Sequence, residues 1–429
     1  MSMKNFENNL MLKYEDAYEI VMSSISGKPL GTERVEIDRA LNRILAEDVV
    51  ADRDSPPFNK SAMDGFACRR ADLDNELTVI ETIAAGNKPD KAIGKNQCSK
   101  IMTGAVVPEG ADCVIMVEDT TPTADNKIRF TPLEIPESQK EQKTKSSLTR
   151  FIGEHSTDNI CLKGEDIKKG DVVLRAGARI SAQHIAVLAG LGCTKPLVAV
   201  KPMVGIITTG DEIVEPEKKP APFQIRNSNG PQITAQVTAA GAKTTNYGIA
   251  ADTEEALDRM VKKATAENDV VIFSGGVSVG EYDLVPGILE KNNFKLLFKK
   301  IAVKPGRPMV FGIFEEGQRR PVFCFGLPGN PVSTFTIFEL FVKPFLFKMM
   351  GHNFKAVISH RQLEKTITRE KTERDSWLPV VFKEENKVTN IEYHGSAHIN
   401  ALCEADGLIC IPAGIAEVKE GTTVAVRQI

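Results

Sequence analysis

Residues 268–283, reading NDVVIFSGGVSVGEYD, constrain the fold more than any other stretch of the chain. The apolar run at 270–273 is of the kind that a strand buried on both faces carries. Ser274, Gly275 and Gly276 break it, and Gly280 precedes the acids Glu281 and Asp283. Glycine lets the chain turn sharply and bring bare backbone amides against a ligand. In an open α/β sheet, ligands settle beyond the carboxyl ends of the strands. Taken alone, such a loop reads first as a tight strand–helix turn. Its meaning rests on its company.

That company repeats the pattern. Residues 204–208 form another buried-strand run, leading into Thr209, Gly210, Asp211 and Glu212. Ser228, Asn229 and Gly230 then open a helix with Ile233, Val237 and Ala240 on one face. The strand-like stretch 244–250 ends near Asp252, and Thr253 caps a helix bearing Leu257, Met260, Val261 and Ala264. Runs at 310–314 and 322–325 lead to GLPGNPVS, where Asn330 as N-cap and Pro331 at the first helical position start a long helix. Strands alternating with helices predict a doubly wound parallel sheet with helices on both faces. The apolar helix at 332–350 contains Glu339, Lys343, Pro344 and Lys348, which marks a core helix and excludes a membrane span.

Around this centre the pattern changes. At 429 residues the chain is too long for one ordinary domain. Residues 14–25 read as a helix, 33–37 and 47–51 as strands, and 38–45 as a short helix, a scaffold without catalytic residues. From 77 to 116, short β-type runs separated by Gly, Pro and Asn predict a small β-rich module. Residues 121–150 are polar and carry the run PESQKEQKTK, as an exposed loop would. From 352 onward alternating short strands predict a C-terminal β-domain. His394 and His398 lack a third ligand and read as structural. Lys and Arg number 54 against 57 Asp and Glu, a net charge of −3, which argues against nucleic acid as a partner. Eight cysteines form no CxxC pair and no zinc spacing, and with no signal peptide evident they suggest a reducing cytoplasm.

The polar residues at the strand ends are the informative ones. Parallel strands would carry Glu212, Asp252 and Asp283 to one edge of the sheet. Three carboxylates there repel one another unless a cation sits among them or the acids are partly protonated, and hard oxygen ligands suit Mg²⁺ bridging to phosphate. Gly275, Gly276 and Gly280 would present amides to that phosphate, and the helix starting near Ser228 adds a positive dipole end. Lys300, Lys304 and Arg307, in KKIAVKPGRP, would add fixed positive charge. No Walker A sequence is present, which excludes a P-loop ATPase.

PPFNKSAMDGFA, IMTGAVVPEGADCVIMVED, KGEDIKKGD, TTGDE, SNGPQ, SGGVSVGEYD, KIAVKPGRP and GLPGNPVS, in this order, closely resemble the molybdopterin molybdenumtransferase (MoeA) family, which includes the C-terminal domain of gephyrin. The resemblance covers the chain from about Tyr14 to its end. It implies a multidomain α/β protein: a central doubly wound parallel-sheet domain at 181–351, an elongated dimerisation scaffold from 1–53 and 146–180, a small β-domain at 54–145, and a C-terminal β-barrel at 352–429. It implies an enzyme of molybdenum cofactor biosynthesis that inserts molybdate into adenylylated molybdopterin and releases AMP, with Mg²⁺.

Residue by residue, Glu212, Asp252 and Asp283 match family acids around the metal and substrate. Asp64 and Thr103 match active-site residues of the small β-domain contributed from the partner subunit of a homodimer, so that active sites are shared. Asp166 and Ser396 match further positions near the site, and Lys300 and Lys304 the basic pair for phosphate or molybdate. Ser274, Gly275, Gly276, Gly280, Arg307, Pro328 and Asn330 fall in the substrate-binding motifs. The implied partners extend to a molybdopterin adenylyltransferase and to molybdoenzymes. The chain departs from the family pattern at Cys161-Leu162-Lys163, where arginine is common before GEDI, and at Asn59, where an acid is common. Two alternatives stay open: molybdopterin adenylyltransferase, which shares the sheet domain but lacks the flanking modules, and a gephyrin-like scaffold without catalysis. The choice between molybdate and tungstate is also open.

Overall fold

The structure, a computed structural model, describes residues 11–131, 159–277, 284–317, 320–392 and 395–429. It divides into two compact units. One comprises Asp48–Arg175 with Val187–Cys193; the other comprises Met1–Glu47, Ala176–Ala186 and Thr194–Ile429.

The unit containing Asp48–Arg175 is built on a six-stranded sheet. Its strands are β1 (Gly65–Cys68), β2 (Glu76–Ile83), β3 (Gln97–Ile101), β4 (Cys113–Met116), β5 (Thr120–Ala124) and β6 (Lys127–Phe130), in the order β4-β1-β3-β2-β6-β5. Phe66, Cys68, Leu77, Cys98, Cys113, Ile115 and Ile128 form its core. The β5–β6 hairpin corrects the expectation of an exposed loop from 121 onward. Asn126 takes φ 56° at the turn, and Ile128 packs inward between outward-facing charges. Residues 132–150, the rest of that expected loop, lie outside the described residues. In the same unit Val49–Val50 pairs with Val172–Leu174, so chain segments far apart in sequence share one small sheet.

In the larger unit, α1 (Tyr14–Ser23) packs Ala17 and Val21 into the core. The helix expected at 38–45 is absent. Only a single 3₁₀ turn, Ile37–Arg39, forms there. Asn42 takes φ 63°, and the amides of Asn42 and Leu45 donate to the carbonyls of Ile180 and Ala178. Long-range backbone bonding has taken the groups a helix would need.

The central sheet has β7 (Met203–Thr209), β8 (Lys243–Ala250), β9 (Val270–Ser274), β10 (Phe294–Lys300), β11 (Pro308–Phe314) and β12 (Val322–Leu327), in the order β8-β7-β9-β12-β11-β10. The pairs β8/β7, β7/β9 and β9/β12 are parallel. β11 pairs antiparallel with both β12 and β10, so the parallel sheet acquires a mixed edge. The connection from β11 to β12 is too short for a crossover helix, which leaves only the antiparallel arrangement.

Both faces of this sheet are covered. Ile206, Ile272, Phe311, Phe323 and Phe325 face one way, against Ile233 and Val237 of α2 (Asn229–Ala239) and the helical segment carrying Phe341 and Phe345. Ile207, Val271, Phe273, Val310 and Cys324 face the other, against Leu257 and Val261 of α3 (Glu254–Glu267) and Ile288 and Leu289 of α4 (Val285–Lys291). Consecutive strand residues point to opposite faces, so continuous apolar runs serve both cores. Each fully buried large side chain contributes about 1.5–3 kcal/mol. Beyond β12, α5 (Pro331–Ile337) and α6 (Lys343–Met349) are joined by a π-turn at Phe338–Val342.

The C-terminal strands β13 (Ile358–Leu363), β14 (Asp375–Phe382), β15 (Lys387–Asn390), β16 (Gly407–Ile411) and β17 (Thr423–Gln428) close into a barrel, with β14 paired to both β15 and β16. Closure leaves no unpaired edge and encloses Leu363, Val380, Val388, Ile409 and Val426. Val303–Lys304 adds to it, pairing in parallel with Asp375 and Ser376. Among the described residues no helix is long and apolar enough to cross a membrane.

Candidate functional site

The strand order decides what meets at the sheet's carboxyl rim. β7 ends at Thr209, β9 at Ser274 and β12 at Leu327, all at one edge because these strands are parallel. β11 runs the opposite way, so its beginning at Pro308 reaches the same edge and brings Lys304–Arg307 with it. A cleft of about 1020 Å³ opens there, walled on its other side by barrel residues that include Arg369, Arg374, Ser376 and Ser396.

The floor of the cleft requires glycine. Gly275 has φ +95°, and a Cβ on it would stand 2.4 Å from the Thr209 carbonyl oxygen. Gly276 has φ +62°, and its Cβ would stand 2.8 Å from Thr209 Oγ1. Both a left-handed backbone and a close approach exclude any side chain. Beside them, Asn229 at the start of α2 donates through Nδ2 to Ser274 Oγ at 2.8 Å and to the Gly329 carbonyl at 2.7 Å. One buried amide thus ties together the loops after β9 and β12. Asn227, not Ser228, caps α2, its Oδ1 accepting from the Gly230 amide at 2.9 Å. Pro328 is held through its carbonyl by the Thr334 hydroxyl at 2.5 Å.

Charge is divided across the cleft. Glu212 and Asp252 lie on the sheet side, and the Asp252 amide donates to Asp211 Oδ1 at 3.1 Å. Lys304, Arg307, Arg369 and Arg374 line it as well. Among the described residues none of these four cations forms a salt bridge. Cations without carboxylate partners leave a positive field free for an anion. Asn330 Nδ2 donates to Ser396 Oγ at 2.7 Å, and the Val332 amide donates to the Ser396 carbonyl at 3.0 Å. The barrel loop is thereby fastened to the first turn of α5.

The residues expected from sequence are therefore partly assembled. Glu212, Asp252, Ser274, Gly275, Gly276, Lys304, Arg307, Pro328, Asn330 and Ser396 line one cleft. Lys300 does not line it; it ends β10, where its carbonyl accepts from the Leu12 amide at 3.2 Å. Gly280 and Asp283 lie outside the described residues. Among the described residues no group of three His, Cys, Asp or Glu side chains is placed to hold a metal.

Asp64, Thr103 and Asp166 belong to the other unit. Asp64 Oδ1 accepts from both the backbone amide and the hydroxyl of Thr103, each at 2.7 Å. The amide first, and then the hydroxyl, hold the Asp64 carboxyl below its ordinary range. Asp166 donates its amide to the Ser55 carbonyl at 3.1 Å. The two departures from the family pattern meet one another: the Lys163 amide donates to Asn59 Oδ1 at 2.8 Å. Lys163 Nζ stands 3.5 Å from Asp54.

Sequence reasoning missed Thr209, Asn229, Arg369 and Arg374 as cleft residues. The SNG motif opening α2 was the available signal for Asn229. For the two arginines there was none, because they reach the rim from a barrel connection about a hundred residues distant from the glycine loop, a distance that only tertiary folding closes.

Comparison with known proteins follows the same divisions. Residues 12–192 match the MoeA N-terminal region (domain I and II), residues 205–348 a probable molybdopterin binding domain, and residues 363–429 the MoeA C-terminal region (domain IV). A molybdopterin molybdenumtransferase of Staphylococcus epidermidis is 38% identical over 406 residues, covering 91% of this chain and 90% of the relative. One from Bacillus subtilis is 34% identical over 408 residues, covering 93% and 90%. The crystal structure of the molybdopterin biosynthesis moeA protein from Pyrococcus horikoshii OT3 superposes with a TM-score of 0.80 at 30% identity, covering 98% of this chain and all of that one. Fold and cleft define a multidomain α/β protein with a molybdopterin-binding type of sheet domain and a C-terminal barrel. The chain belongs to the MoeA family.

Proposed function

We propose that the chain is a molybdopterin molybdenumtransferase, which takes adenylylated molybdopterin and molybdate, releases AMP and leaves molybdenum on the dithiolene. The observation that carries this reading is the division of charge in one cleft. Two acids and a glycine-floored loop stand on one wall, and four cations that form no salt bridge among the described residues line the same space. Both substrates are anionic, and a reaction that gathers several negative groups needs fixed positive charge around them.

The donor set also fits Mg²⁺. Glu212, Asp252 and Thr209 offer oxygen, and among the described residues no thiol or imidazole lines the cleft. Glu212 and Asp252 would hold the ion, with Asp283 as the expected third ligand. When bound, Mg²⁺ screens phosphate charge. The chain's own residues do the rest. Lys304, Arg307 and Arg374 hold the oxyanions and favour departure of AMP as an anion, with Arg369 adding positive charge beside them. Gly275 and Gly276 keep side chains out of the floor; the Gly275 amide, expected from sequence to face phosphate, instead donates to the Leu327 carbonyl at 3.2 Å. Ser396, fixed by Asn330, sets the barrel side of the opening.

Asp64 and Thr103 form a rigid hydroxyl–carboxylate pair that we assign to the active site of the partner subunit in a homodimer. The cysteines are all free thiols, and we place the protein in the cytoplasm. The test is Glu212→Gln together with Asp252→Asn. The pair should lower molybdate-dependent AMP release at least a hundredfold while leaving thermal unfolding within a few degrees, since Glu212 is exposed and Asp252 only half-buried, and surface carboxylates add little stability. Unchanged AMP release would reject the cleft as the site.

A further inference from the structure

We infer that Arg369 is a positioning residue that sets the anion-binding wall of the cleft, acting through the loop that carries Arg374 and through Ser376 beside Lys304. The inference rests on the function proposed above.

Arg369 follows the short strand Ile367–Thr368 and lines the cleft. Its guanidinium donates through Nε to the Ile415 carbonyl at 2.6 Å and through Nη1 to the Arg374 carbonyl and to Ser376 Oγ, both at 2.8 Å. Nη2 donates to the Pro412 carbonyl. Four acceptors, on two loops and the start of β14, converge on one side chain, and none is a carboxylate.

The two loops are also tied to each other. The Gly414 amide donates to the Thr372 carbonyl at 2.8 Å, and the Ala413 amide to Asp375 Oδ1 at 2.8 Å. From Ser376 the connection continues to the sheet domain. Ser376 is the register partner of Lys304, and the Asp375 amide donates to the Ala302 carbonyl at 3.0 Å. Arg369, Ser376 and Lys304 are therefore consecutive links from the barrel to the cleft's cationic rim.

The choice of arginine has a physical reason. A planar fork of five donors can hold several acceptors in fixed directions, whereas lysine offers a compact ammonium on a flexible stem. Because these four partners are neutral and no salt bridge to it forms among the described residues, Arg369 retains positive charge at the cleft while locking the loop of Arg374. A displacement of about 1 Å at a substrate-holding group is enough to cost a large factor in rate or affinity.

The experiment uses the full chain with Arg369→Lys, Arg369→Ala and a barrel control, Arg361→Ala. Arg361 stacks 3.7 Å from the centre of the Phe382 ring and does not line the cleft. Two quantities are read: the molybdate dependence of AMP release, and orthophosphate affinity by calorimetry without any reaction. Arg369→Lys should raise half-saturating molybdate about tenfold, a shift of about 1.4 kcal/mol, with the rate at saturation little changed. Arg369→Ala should raise it further, and Arg361→Ala should leave it at the wild-type value. A wild-type half-saturation in Arg369→Lys, or an equal rise in Arg361→Ala, overturns the inference. If the wild type releases no AMP, the proposed reaction fails, and phosphate decides the clamp by itself. About tenfold weaker phosphate binding in Arg369→Lys sustains it; equal binding, or none in the wild type, overturns it. Failure of both Arg369 variants to fold would assign this residue to barrel stability and overturn it as well.

Discussion

The two walls of the cleft are built by different logic. The sheet wall is local: Thr209, Ser274, Gly275 and Gly276 lie at strand ends within a few residues of the buried runs that place them. The barrel wall is assembled from afar: Arg369 and Arg374 come from one connection, Ser376 from strand β14 and Ser396 from a later loop, held by side-chain bonds such as those of Arg369 and Asn330. The sheet wall is rigid through backbone geometry, and the barrel wall through a few side chains. Damage to the first should therefore cost stability and activity together. Damage to the second should alter substrate handling while the fold survives.

The sharpest way to break this contrast is Gly275→Ala. The added Cβ meets the Thr209 carbonyl oxygen at 2.4 Å on a backbone at φ +95°. Strain and overpacking together should cost roughly 2–4 kcal/mol and abolish AMP release. Denaturant unfolding checks the first and an activity assay the second. A stable, active Gly275→Ala protein would show that the sheet wall is not set by backbone geometry.

A large effect is also expected from mixing Asp64→Ala with Asp283→Ala. If Asp64 serves the partner's site, each mixed dimer contains one site with both parts intact. Random mixing makes about half the dimers mixed, so about a quarter of wild-type activity should return. A mixed-tag pulldown verifies the mixed dimers. Verified mixed dimers without activity would confine each site to a single subunit.

For the barrel-facing rim, Lys304→Ala should raise half-saturating molybdate about tenfold, equivalent to about 1.4 kcal/mol. Its unfolding midpoint should hardly move, because an exposed cation contributes little to stability. A loss of stability without a change in molybdate dependence would erase the distinction between the walls.

The smallest effect concerns Asp64. Its folded-state pKa is lowered by the Thr103 amide and hydroxyl. The stabilisation is therefore present above the unfolded-state value of about 3.9 and is lost as pH falls through the lower folded-state pKa. Wild type minus Asp64→Asn stability should be flat at neutral pH and decline only in that acid range. A decline near neutral pH would contradict the pairing seen with Thr103.

The same contrast explains what the sequence disclosed. Apolar runs at 204–208 and 270–273 and the cap at Thr253 announced the sheet and α3, because the causes are neighbours in sequence. β10 went unread because Phe294 and Leu296 pack in one core and Phe298 in the other, across a register shift, so no single period marks the strand. The helix expected at 38–45 failed because backbone partners at Ala178 and Ile180, invisible to local propensity, claimed its amides. Glu212 was legible as an acid just beyond a buried strand; Asp252 follows β8, which proves to be a largely half-buried edge strand. Arg369 was not, since its importance comes from four acceptors on loops that sequence alone does not bring together.

The most direct measurement of the central claim is a molybdate titration of purified protein loaded with adenylylated molybdopterin, following AMP and dithiolene-bound molybdenum together. The account predicts that both products appear in equal amounts, only with molybdate present, and saturably. AMP release that ignores molybdate, or molybdenum insertion without AMP release, would contradict it.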